Sequence, residues 1–324
     1  MFRRGIGLDI GTTKTTISSV TDGILLREPT VAAVDVDTGE VLEAGEPALK
    51  MVSESPDKTY LCWPVWDPVV KSAHVLAALL RIFFRRALGR TLLRPQVMVS
   101  VPCDLTEAQS NVVEDAVLEA GASRVHLLEA PLCAALGVGF DFAAPTGQML
   151  VHIGASRTEA AMIFIGDMVT HVSVQTGGTQ LDGAIIRYMR GKHKLYIGPR
   201  TAEQIKIRLV DLAAGHEEKK LDVKGRFVDT KVPRVVTLSS REMLGALRDP
   251  LSTILDAILS VVEQTGDDMK ADIVKGGIVL TGGGVPRGMD QLIADVMGIR
   301  AKLAANADTA AAEGAALALD RLGK

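Results

Sequence analysis

The sequence predicts an α/β protein made of two related halves, and three observations support this fold class. A strand-turn-strand motif over Gly5 to Val20 returns at Leu150 to Ala161. Between the two copies, apolar strands alternate with amphipathic helices, an order that produces a mainly parallel sheet with helices on both faces. Near the C-terminal end, a buried strand leads into three glycines, Gly282 to Gly284. We therefore expect two domains of similar design that face a common cleft.

Length and composition allow two domains and exclude several classes of protein. The 324 residues are 47% hydrophobic, which is enough for two cores. The formal charge is −3 and the charges are spread along the chain, which argues against nucleic-acid binding. The cysteines Cys62, Cys103 and Cys133 form no Cys-x-x-Cys pair, so we expect core thiols of a reduced, cytosolic protein. We expect neither a signal peptide nor a membrane-spanning helix.

The first motif has the composition of a phosphate-binding turn. An apolar strand carries one carboxylate, Asp9, near its end. In the turn, Gly11 lets backbone N–H groups approach an anion, and polar groups are added by Thr12, Thr13 and Lys14. Because the turn leads into a strand and not a helix, it is neither a Walker A loop nor a dinucleotide-binding fingerprint. Taken alone, the motif fits a hairpin without a ligand about as well.

The first half, predicted as a domain over residues 1–145, contains an inserted lobe over about 30–70. We expect Trp63 and Trp66 to pack this lobe onto the main body. A capping box at Thr106 and Gln109 marks the start of a helix. The predicted elements are a helix over 69–88, a strand over 96–101, a helix over 102–121, a strand over 125–128 and a short Ala-rich helix.

The second half, predicted as a domain over residues 146–324, repeats this plan with an inserted lobe over about 212–240. A single helix is predicted from Ser239 through Val262. The other predicted elements are a hairpin over 149–165, a strand over 169–174, helices over 181–190 and 200–212, a strand before the three glycines, a helix at Met289 and a final helix over 308–322.

A loop between the first long helix and the next strand carries two leucines, Leu92 and Leu93, bracketed by Arg90 and Arg94. Such a loop can press apolar side chains into a lipid interface while its arginines meet anionic head groups. Ordinary packing of a loop explains the pattern equally well.

Several long stretches agree in order and spacing with the actin superfamily, and the chain resembles the bacterial cell-shape actins of the MreB and Mbl kind. The stretches are GIGLDIGTTKT, VPCDLTEAQSNVVEDAVLEAGA, LLEAPLCAALGVG, GGTQLDGAIIRYMR, RTAEQIKIRL and GIVLTGGGVPRGMD. The resemblance covers nearly the whole chain. It implies two ribonuclease-H-like domains, each with a small insertion, that close on ATP and magnesium.

The resemblance also implies self-association into double protofilaments at the inner face of the membrane, with cell-wall or other cytoskeletal proteins as further partners. A sugar kinase and a DnaK-type chaperone share this fold. The sugar kinase needs a catalytic aspartate with a sugar pocket, and the chaperone needs a long peptide-binding extension. Neither feature is evident in the sequence.

The family's site residues transfer to positions of this chain that match its motifs. Asp9 would hold the hydration shell of magnesium, a hard cation that prefers oxygen ligands. No residue is assigned a catalytic role, and by sequence alone the pair Glu203 and Lys206 fits a solvated helix face. The residues implied to contact ATP are Gly11, Thr12, Thr13 and Lys14 with their counterparts Gly154, Ser156, Arg157 and Thr158 at the phosphates, Glu203 and Lys206 at the ribose and base, and Gly282, Gly283 and Gly284 beneath the α-phosphate and adenosine.

The chain departs from the family pattern at two places. In the second hairpin, His152 stands where relatives have an aspartate, and Ala155 and Ser156 stand where they have glycines. Before Pro131, Ala130 replaces the glutamate that positions the attacking water. One carboxylate balances the charge of magnesium less well than two, and an alanine cannot orient water. We therefore predict weakened ATP binding or hydrolysis.

Two functional classes stay open at this point. The chain is either an ATP-regulated filament protein with slow hydrolysis, or a nucleotide-independent pseudo-ATPase that acts as a structural polymer or adaptor. Positive charge from His152 and Arg157 also raises the hypothesis that phosphate is bound with little or no metal.

Overall fold

The computed structural model describes residues 5–66, 69–89, 93–215 and 217–322. The chain divides into two compact units. The first unit comprises Met1–Ala143 with Asn306–Lys324, and the second comprises Ala144–Ala305.

The first unit begins with the hairpin and continues through strands and helices up to residue 143. In chain order its elements are β1 (Gly5–Ile10), β2 (Lys14–Ser19), β3 (Gly23–Pro29), β4 (Ala32–Asp35), β5 (Val41–Ala44), α1 (Glu46–Glu54), β6 (Thr59–Cys62), β7 (Val65–Trp66), β8 (Val69–Val70), α2 (Ala73–Leu88), β9 (Gln96–Val101), α3 (Glu107–Ala120), β10 (Arg124–Glu129) and α4 (Ala130–Gly137).

The second unit follows, and the last helix of the chain then returns to the first unit. In chain order the elements are β11 (Gln148–Ile153), β12 (Thr158–Phe164), β13 (Asp167–Val174), α5 (Gly178–Lys192), β14 (Leu195–Tyr196), α6 (Pro199–Leu209), β15 (Lys220–Phe227), β16 (Pro233–Ser239), α7 (Ser240–Ala246), α8 (Arg248–Gln264), α9 (Asp267–Gly276), β17 (Ile278–Thr281), α10 (Met289–Met297), β18 (Ala301–Leu303) and α11 (Ala310–Leu322).

Within the described residues, each unit contains a five-stranded sheet, and the two sheets share one strand order. The order is β10-β9-β1-β2-β3 in the first unit and β18-β17-β11-β12-β13 in the second. In both sheets the hairpin strands are antiparallel, and the first hairpin strand is parallel to the strand on its other side. The repeat in the sequence therefore corresponds to a repeated topology, as predicted.

Each unit has its own hydrophobic core. In the first unit, Ile6 and Leu8 of β1 point to the same face of the sheet and pack with Leu76, Leu80 and Phe83 of α2. The spacing of the α2 residues is that of one buried helix face. The second core lies between β11, β12 and the helices α5, α6 and α8.

The C-terminal helix α11 belongs to the first unit, in contrast to the predicted second domain over residues 146–324. It packs so closely against β1 and α4 that backbone atoms of the neighbouring elements are in contact. A Cβ atom on Gly7 would lie 2.2 Å from the carbonyl oxygen of Ala312, and one on Gly314 would lie 1.6 Å from that of Cys133. Glycine and alanine have small side chains, so a helix that packs through them has no distinct stripe of large apolar residues. The sequence therefore does not show which sheet this helix covers.

Two small sheets have the orders β5-β4-β6 and β14-β15-β16. The first lies within the predicted lobe over about 30–70, whereas β14 of the second precedes the predicted lobe over about 212–240. Trp63 and Trp66 are each 49% exposed, so the prediction that they pack the first lobe onto the main body is wrong. The ammonium group of Lys71 lies 5.1 Å from the ring centroid of Trp66. Of the three cysteines, Cys133 is buried, while Cys62 and Cys103 are only partly buried.

Other differences from the predicted elements have local causes. The helix predicted from residue 69 begins at Ala73, because Val69–Val70 pairs with Val65–Trp66 as a short hairpin. The helix predicted from 239 to 262 is divided at Leu247. Pro250, which lacks a backbone N–H, lies in the first turn after the break. The capping box at Thr106 and Gln109 is confirmed, whereas α1 and α9 were not predicted.

We expect Gly314→Ala to destabilise the first unit, because the added methyl group must displace the backbone of α4. Overpacking of this kind costs about 1–3 kcal/mol. Differential scanning calorimetry measures the effect. The matched control is Gly191→Ala in α5, where a Cβ atom meets nothing within 4 Å. This control should be neutral or stabilising by up to about 1 kcal/mol. Equal melting temperatures for Gly314→Ala and the wild type would contradict the tight contact.

Candidate functional site

The turn between β1 and β2 is held by its own backbone and by Thr30. The N–H of Gly11 donates to the carbonyl of Lys14 at 2.9 Å. Thr30 donates its N–H to the carbonyl of Thr13 at 3.0 Å and its hydroxyl to the carbonyl of Gly11 at 2.7 Å. The hydroxyl of Thr30 also lies 2.9 Å from that of Thr15. Thr30, which the sequence analysis did not single out, thus fixes the turn.

Asp9 lies in β1 beside Ser100 of β9. Burial raises the pKa of Asp9 to about 6, and the Ser100 hydroxyl offsets part of this rise. A nearby cation favours the charged form of a buried carboxylate. Asp9 therefore fits the magnesium-holding role that the resemblance implies. In the adjoining turn, Thr12 is buried, while the side chains of Thr13 and Lys14 are exposed.

The turn between β11 and β12 has the same construction as the first. The N–H of Gly154 donates to the carbonyl of Arg157 at 2.7 Å, and the N–H of Gly178 donates to the carbonyl of Gly154 at 3.0 Å. Thr179 donates its N–H at 2.6 Å and its hydroxyl at 2.8 Å to the carbonyl of Ala155. Two carbonyl groups of the turn are therefore bonded to the segment that begins α5.

Two of the three glycines after β17 pack directly on this second turn. The N–H of Gly284 donates to the carbonyl of Ile153 at 2.9 Å. A Cβ atom on Gly282 would lie 2.2 Å from the carbonyl oxygen of Ile153, and one on Gly284 would lie 2.0 Å from that of Gly154. These two glycines are required by backbone packing. Gly283 is the exposed member of the three, so its backbone is the one open to a ligand.

Helix α6 supplies a cation to the same group of segments. Lys206 Nζ donates to the carbonyl of Gly178 at 2.9 Å and lies 2.9 Å from Asp182 Oδ1 of α5, with both side chains 13% exposed. Burial raises the pKa of Asp182, Lys206 opposes that rise, and Glu203 adds to it. Glu203 is exposed one helical turn from Lys206. Asp182 is a site residue that was not predicted from the sequence, although a carboxylate on the buried face of a predicted helix indicates a partner.

These segments form one arrangement, which we call the glycine cluster. It consists of the turn 154–157, Gly177–Gly178, Gly282–Gly284 and the Lys206–Asp182 pair. The cluster presents backbone groups more than side chains, because Ser156 is 5% exposed and the hydroxyl of Thr158 donates to the carbonyl of Thr176.

His152 and Arg157 do not supply the free positive charge that the sequence suggested. Burial lowers the pKa of His152 to about 4, so the imidazole is neutral at pH 7. Its Nδ1 lies 3.1 Å from the Thr281 hydroxyl of the neighbouring strand. Arg157 is 6% exposed, and its guanidinium donates to the Ser173 hydroxyl of β13. A neutral imidazole does not support the hypothesis that phosphate is bound with little or no metal, which stays a hypothesis, and the Arg157 guanidinium is bonded to Ser173 of β13.

The other residues to which the sequence assigned a role, Ala130 and the two leucines of the predicted membrane loop, belong to the first unit. Ala130 is the first residue of α4 and is 6% exposed, with Glu129 as the helix N-cap. Leu93 is 40% exposed, and Leu92 lies outside the described residues. In the part of the chain that the structure describes, no three His, Cys, Asp or Glu side chains form a metal-binding group. No helix described there has the length and apolarity needed to cross a membrane.

Comparison with solved structures shows the class to which the chain belongs. The structure of MreB5 of Spiroplasma citri bound to AMPPNP has a TM-score of 0.92 at 27% identity, covering 100% of this chain and 98% of that chain. The MamK double helical filament has a TM-score of 0.80 at 16% identity, covering 98% and 99%. The chain is an actin-like protein.

Sequence comparison narrows the class to a family. The family model described as MreB/Mbl protein matches residues 3–324. The cell shape-determining protein Mbl of Bacillus subtilis (strain 168) is 34% identical over 326 residues, covering 100% of this chain and 98% of that protein. The cell shape-determining protein MreB of Escherichia coli (strain K12) is 34% identical over 329 residues, covering 99% and 95%. The chain belongs to the MreB/Mbl family, which confirms the resemblance.

We expect Lys206→Met to destabilise the second unit by about 3 kcal/mol, because it leaves the Asp182 carboxylate and the Gly178 carbonyl without their partner. Urea unfolding followed by circular dichroism measures the change. Lys224→Met, at an exposed position of β15 in the same unit, is the control and should change stability little. A second substitution, Asp182→Asn, should recover much of the loss. If the single and double variants are equally unstable, the two side chains are not coupled.

Proposed function

We propose that this chain is a cell-shape protein that assembles into actin-like filaments and binds a nucleotide at the glycine cluster. Relatives that are 34% identical over their length are cell shape-determining proteins. A structural relative, MreB5 of Spiroplasma citri, has been solved with AMPPNP and with ADP. The observation that carries the proposal is that two separate segments of the second unit, Gly177–Thr179 and Gly282–Gly284, pack on one turn through their backbones, while Lys206 of α6 donates to the first of these segments.

In this proposal, backbone groups and a few side chains of the glycine cluster hold the nucleotide. The backbone at Gly283 is exposed and lies beside the second turn, so a flat or anionic group can approach it. Glu203 is exposed near the Lys206–Asp182 pair, where its carboxylate can accept hydrogen bonds from ribose hydroxyls. Lys206 fixes the Gly178 carbonyl and thereby the start of α5.

Magnesium fits the first unit better than the second. Asp9 is a partly buried carboxylate that would hold the hydration shell of the ion. When bound, magnesium would neutralise charge on the phosphates. His152, at the equivalent position of the second hairpin, is neutral and supplies no carboxylate. We propose a weakened preference for the magnesium complex of the nucleotide.

Of the proposed activities, hydrolysis of ATP has the least support from the side chains present. Phosphoryl transfer depends mainly on positioning and on electrostatic stabilisation. Ala130 has only a methyl group, which cannot orient an attacking water. We therefore propose that the chain hydrolyses ATP slowly. The second candidate, a nucleotide-independent structural polymer or adaptor, is favoured by the same two positions, Ala130 and His152.

The proposal includes peripheral attachment to the inner face of the membrane. Leu93 is 40% exposed next to the exposed Arg94. An apolar side chain beside a cation suits the boundary between acyl chains and anionic head groups. Self-association would place many such loops along one filament, which strengthens binding through multivalency. Cell-wall or other cytoskeletal proteins remain further proposed partners.

Calorimetry with ATP tests the nucleotide site. We expect binding by the wild type in magnesium and weaker binding in chelator, because magnesium screens the phosphate charge. Glu203→Ala should weaken binding roughly tenfold, the effect of losing hydrogen bonds to a charged group. Gln204→Ala, an exposed neighbour on the same helix, is the matched control. Absence of heat with ATP under both conditions would show that the chain does not bind nucleotide.

Pelleting and electron microscopy of the same samples then separate the two candidate functions. Filaments that form only with ATP support the nucleotide-regulated polymer. Filaments of equal amount with and without ATP support the structural polymer. If no filaments form under either condition, the assembly part of the proposal is wrong.

We expect Ala130→Glu to raise the rate of phosphate release at least about tenfold, a small part of the effect of a well-placed general base or water-positioning group. Ala130→Met is the control, since it adds similar bulk without a carboxylate. Melting temperatures of both variants report whether the fold is intact. A folded Ala130→Glu variant no faster than the wild type would show that the lost glutamate is not what limits hydrolysis.

A further inference from the structure

A surface cavity of the first unit has a lining that the nucleotide site does not explain. Its volume is about 490 Å³, within the range of about 300–1,000 Å³ of small-molecule pockets. It lies where α2 and α3 end, at Gly89 and Gly121, and the residues that lead into β9 form another part of its lining.

The cavity carries an excess of positive charge. Three arginines, Arg81, Arg85 and Arg94, line it and are exposed. Arg81 is partly neutralised, since it donates to the Glu119 carbonyl at 2.9 Å and lies 3.7 Å from the Glu119 carboxylate. Arg85 and Arg94 form no ion pair with any residue that the structure describes. The negative charges nearby are the Glu119 carboxylate and roughly half a charge at the C-terminal end of each of the two helices, and together they are smaller than the three guanidinium charges.

The deeper lining of the cavity is apolar. Phe84 and Leu88 contribute to it and are only 6% and 8% exposed. Leu93 also lines the cavity and is 40% exposed. The cavity therefore combines buried apolar side chains with exposed guanidinium groups. A ligand that suits this lining has an anionic group joined to an apolar part.

We propose that this cavity binds one anionic phospholipid. Arg85 and Arg94 would contact the phosphate, because a guanidinium group matches two phosphate oxygens at once. The glycerol and the first methylene groups would lie against Phe84 and Leu88. The exposed Leu93 at the same cavity would enter the adjacent acyl region. This inference rests on the proposed membrane attachment and adds a defined head-group site to it.

The test uses the whole chain and dihexanoyl phosphatidylglycerol below its critical micelle concentration, with binding measured by calorimetry. We expect saturable binding by the wild type and a loss of at least about tenfold in Arg85→Gln/Arg94→Gln, since two charged contacts are removed. The matched control is Lys58→Gln/Arg124→Gln, which removes two exposed cations of the same unit outside the cavity. All four positions are exposed, and melting temperatures check that each variant is folded.

Three comparison ligands identify the occupant. Dihexanoyl phosphatidylcholine should bind weakly, because it has no net negative charge. Inorganic phosphate bound as tightly as the lipid would overturn the proposal in favour of a simple anion site. A hexaglutamate peptide bound more tightly than the lipid would overturn it in favour of a protein partner. Equal binding of the lipid by the cavity variant and the wild type would also overturn it.

Co-sedimentation with vesicles of phosphatidylglycerol and phosphatidylcholine separates this inference from the proposed membrane attachment. Wild-type protein that pellets with vesicles, together with a cavity variant that pellets equally well, refutes the head-group site and leaves the attachment in place. Wild-type protein that stays in the supernatant refutes the attachment, while the soluble-lipid measurement still decides whether the cavity binds phospholipid.

Discussion

The second unit depends on a direct approach of backbone to backbone at the turn that follows β11. Gly284 donates to the Ile153 carbonyl and Gly178 donates to the Gly154 carbonyl, so segments from distant parts of the chain are bonded to one turn. A side chain at Gly282 or Gly284 would overlap these carbonyls. Because these hydrogen bonds are made by backbone groups, the shape of the turn requires no particular side chain at Ala155 or Ser156.

The shape of the second turn is therefore independent of the side chains at His152 and Ala130, the two positions on which the proposed loss of hydrolysis depends. The carbonyls of Gly154, Ala155 and Arg157 accept backbone hydrogen bonds, and the side chains of Ser156 and Arg157 are buried. His152 is neutral, and Ala130 at the start of α4 has no polar side-chain group. Neither position is needed to form the hydrogen bonds that define the turn.

The two hairpins, the repeated strand order and the capping box could be predicted because each has a local pattern. Strand alternation, turn residues and cap residues are readable within about ten neighbouring positions. The packing of α11, the pairing of Lys206 with Asp182 and the role of Thr30 could not, because each depends on residues brought together by the tertiary fold. The direction of the Arg157 side chain could not be predicted for the same reason. Its charge is evident from the sequence, but its hydrogen-bond partner Ser173 lies on β13, two strands from β11 in the sheet.

The hydrogen bond between His152 and Thr281 joins the two adjacent parallel strands of the second sheet by neutral groups. A carboxylate at this position would be a buried charge in the empty protein, and a bound cation would relieve it. With a neutral imidazole, the empty protein carries no such penalty. A ligand shifts a conformational equilibrium only by the difference in its affinity for the two states. If the chain binds nucleotide and magnesium as proposed, the free-energy difference between the empty and the loaded protein is therefore smaller than it would be with a carboxylate at 152, and changes in cellular ATP or magnesium would have less leverage over its assembly.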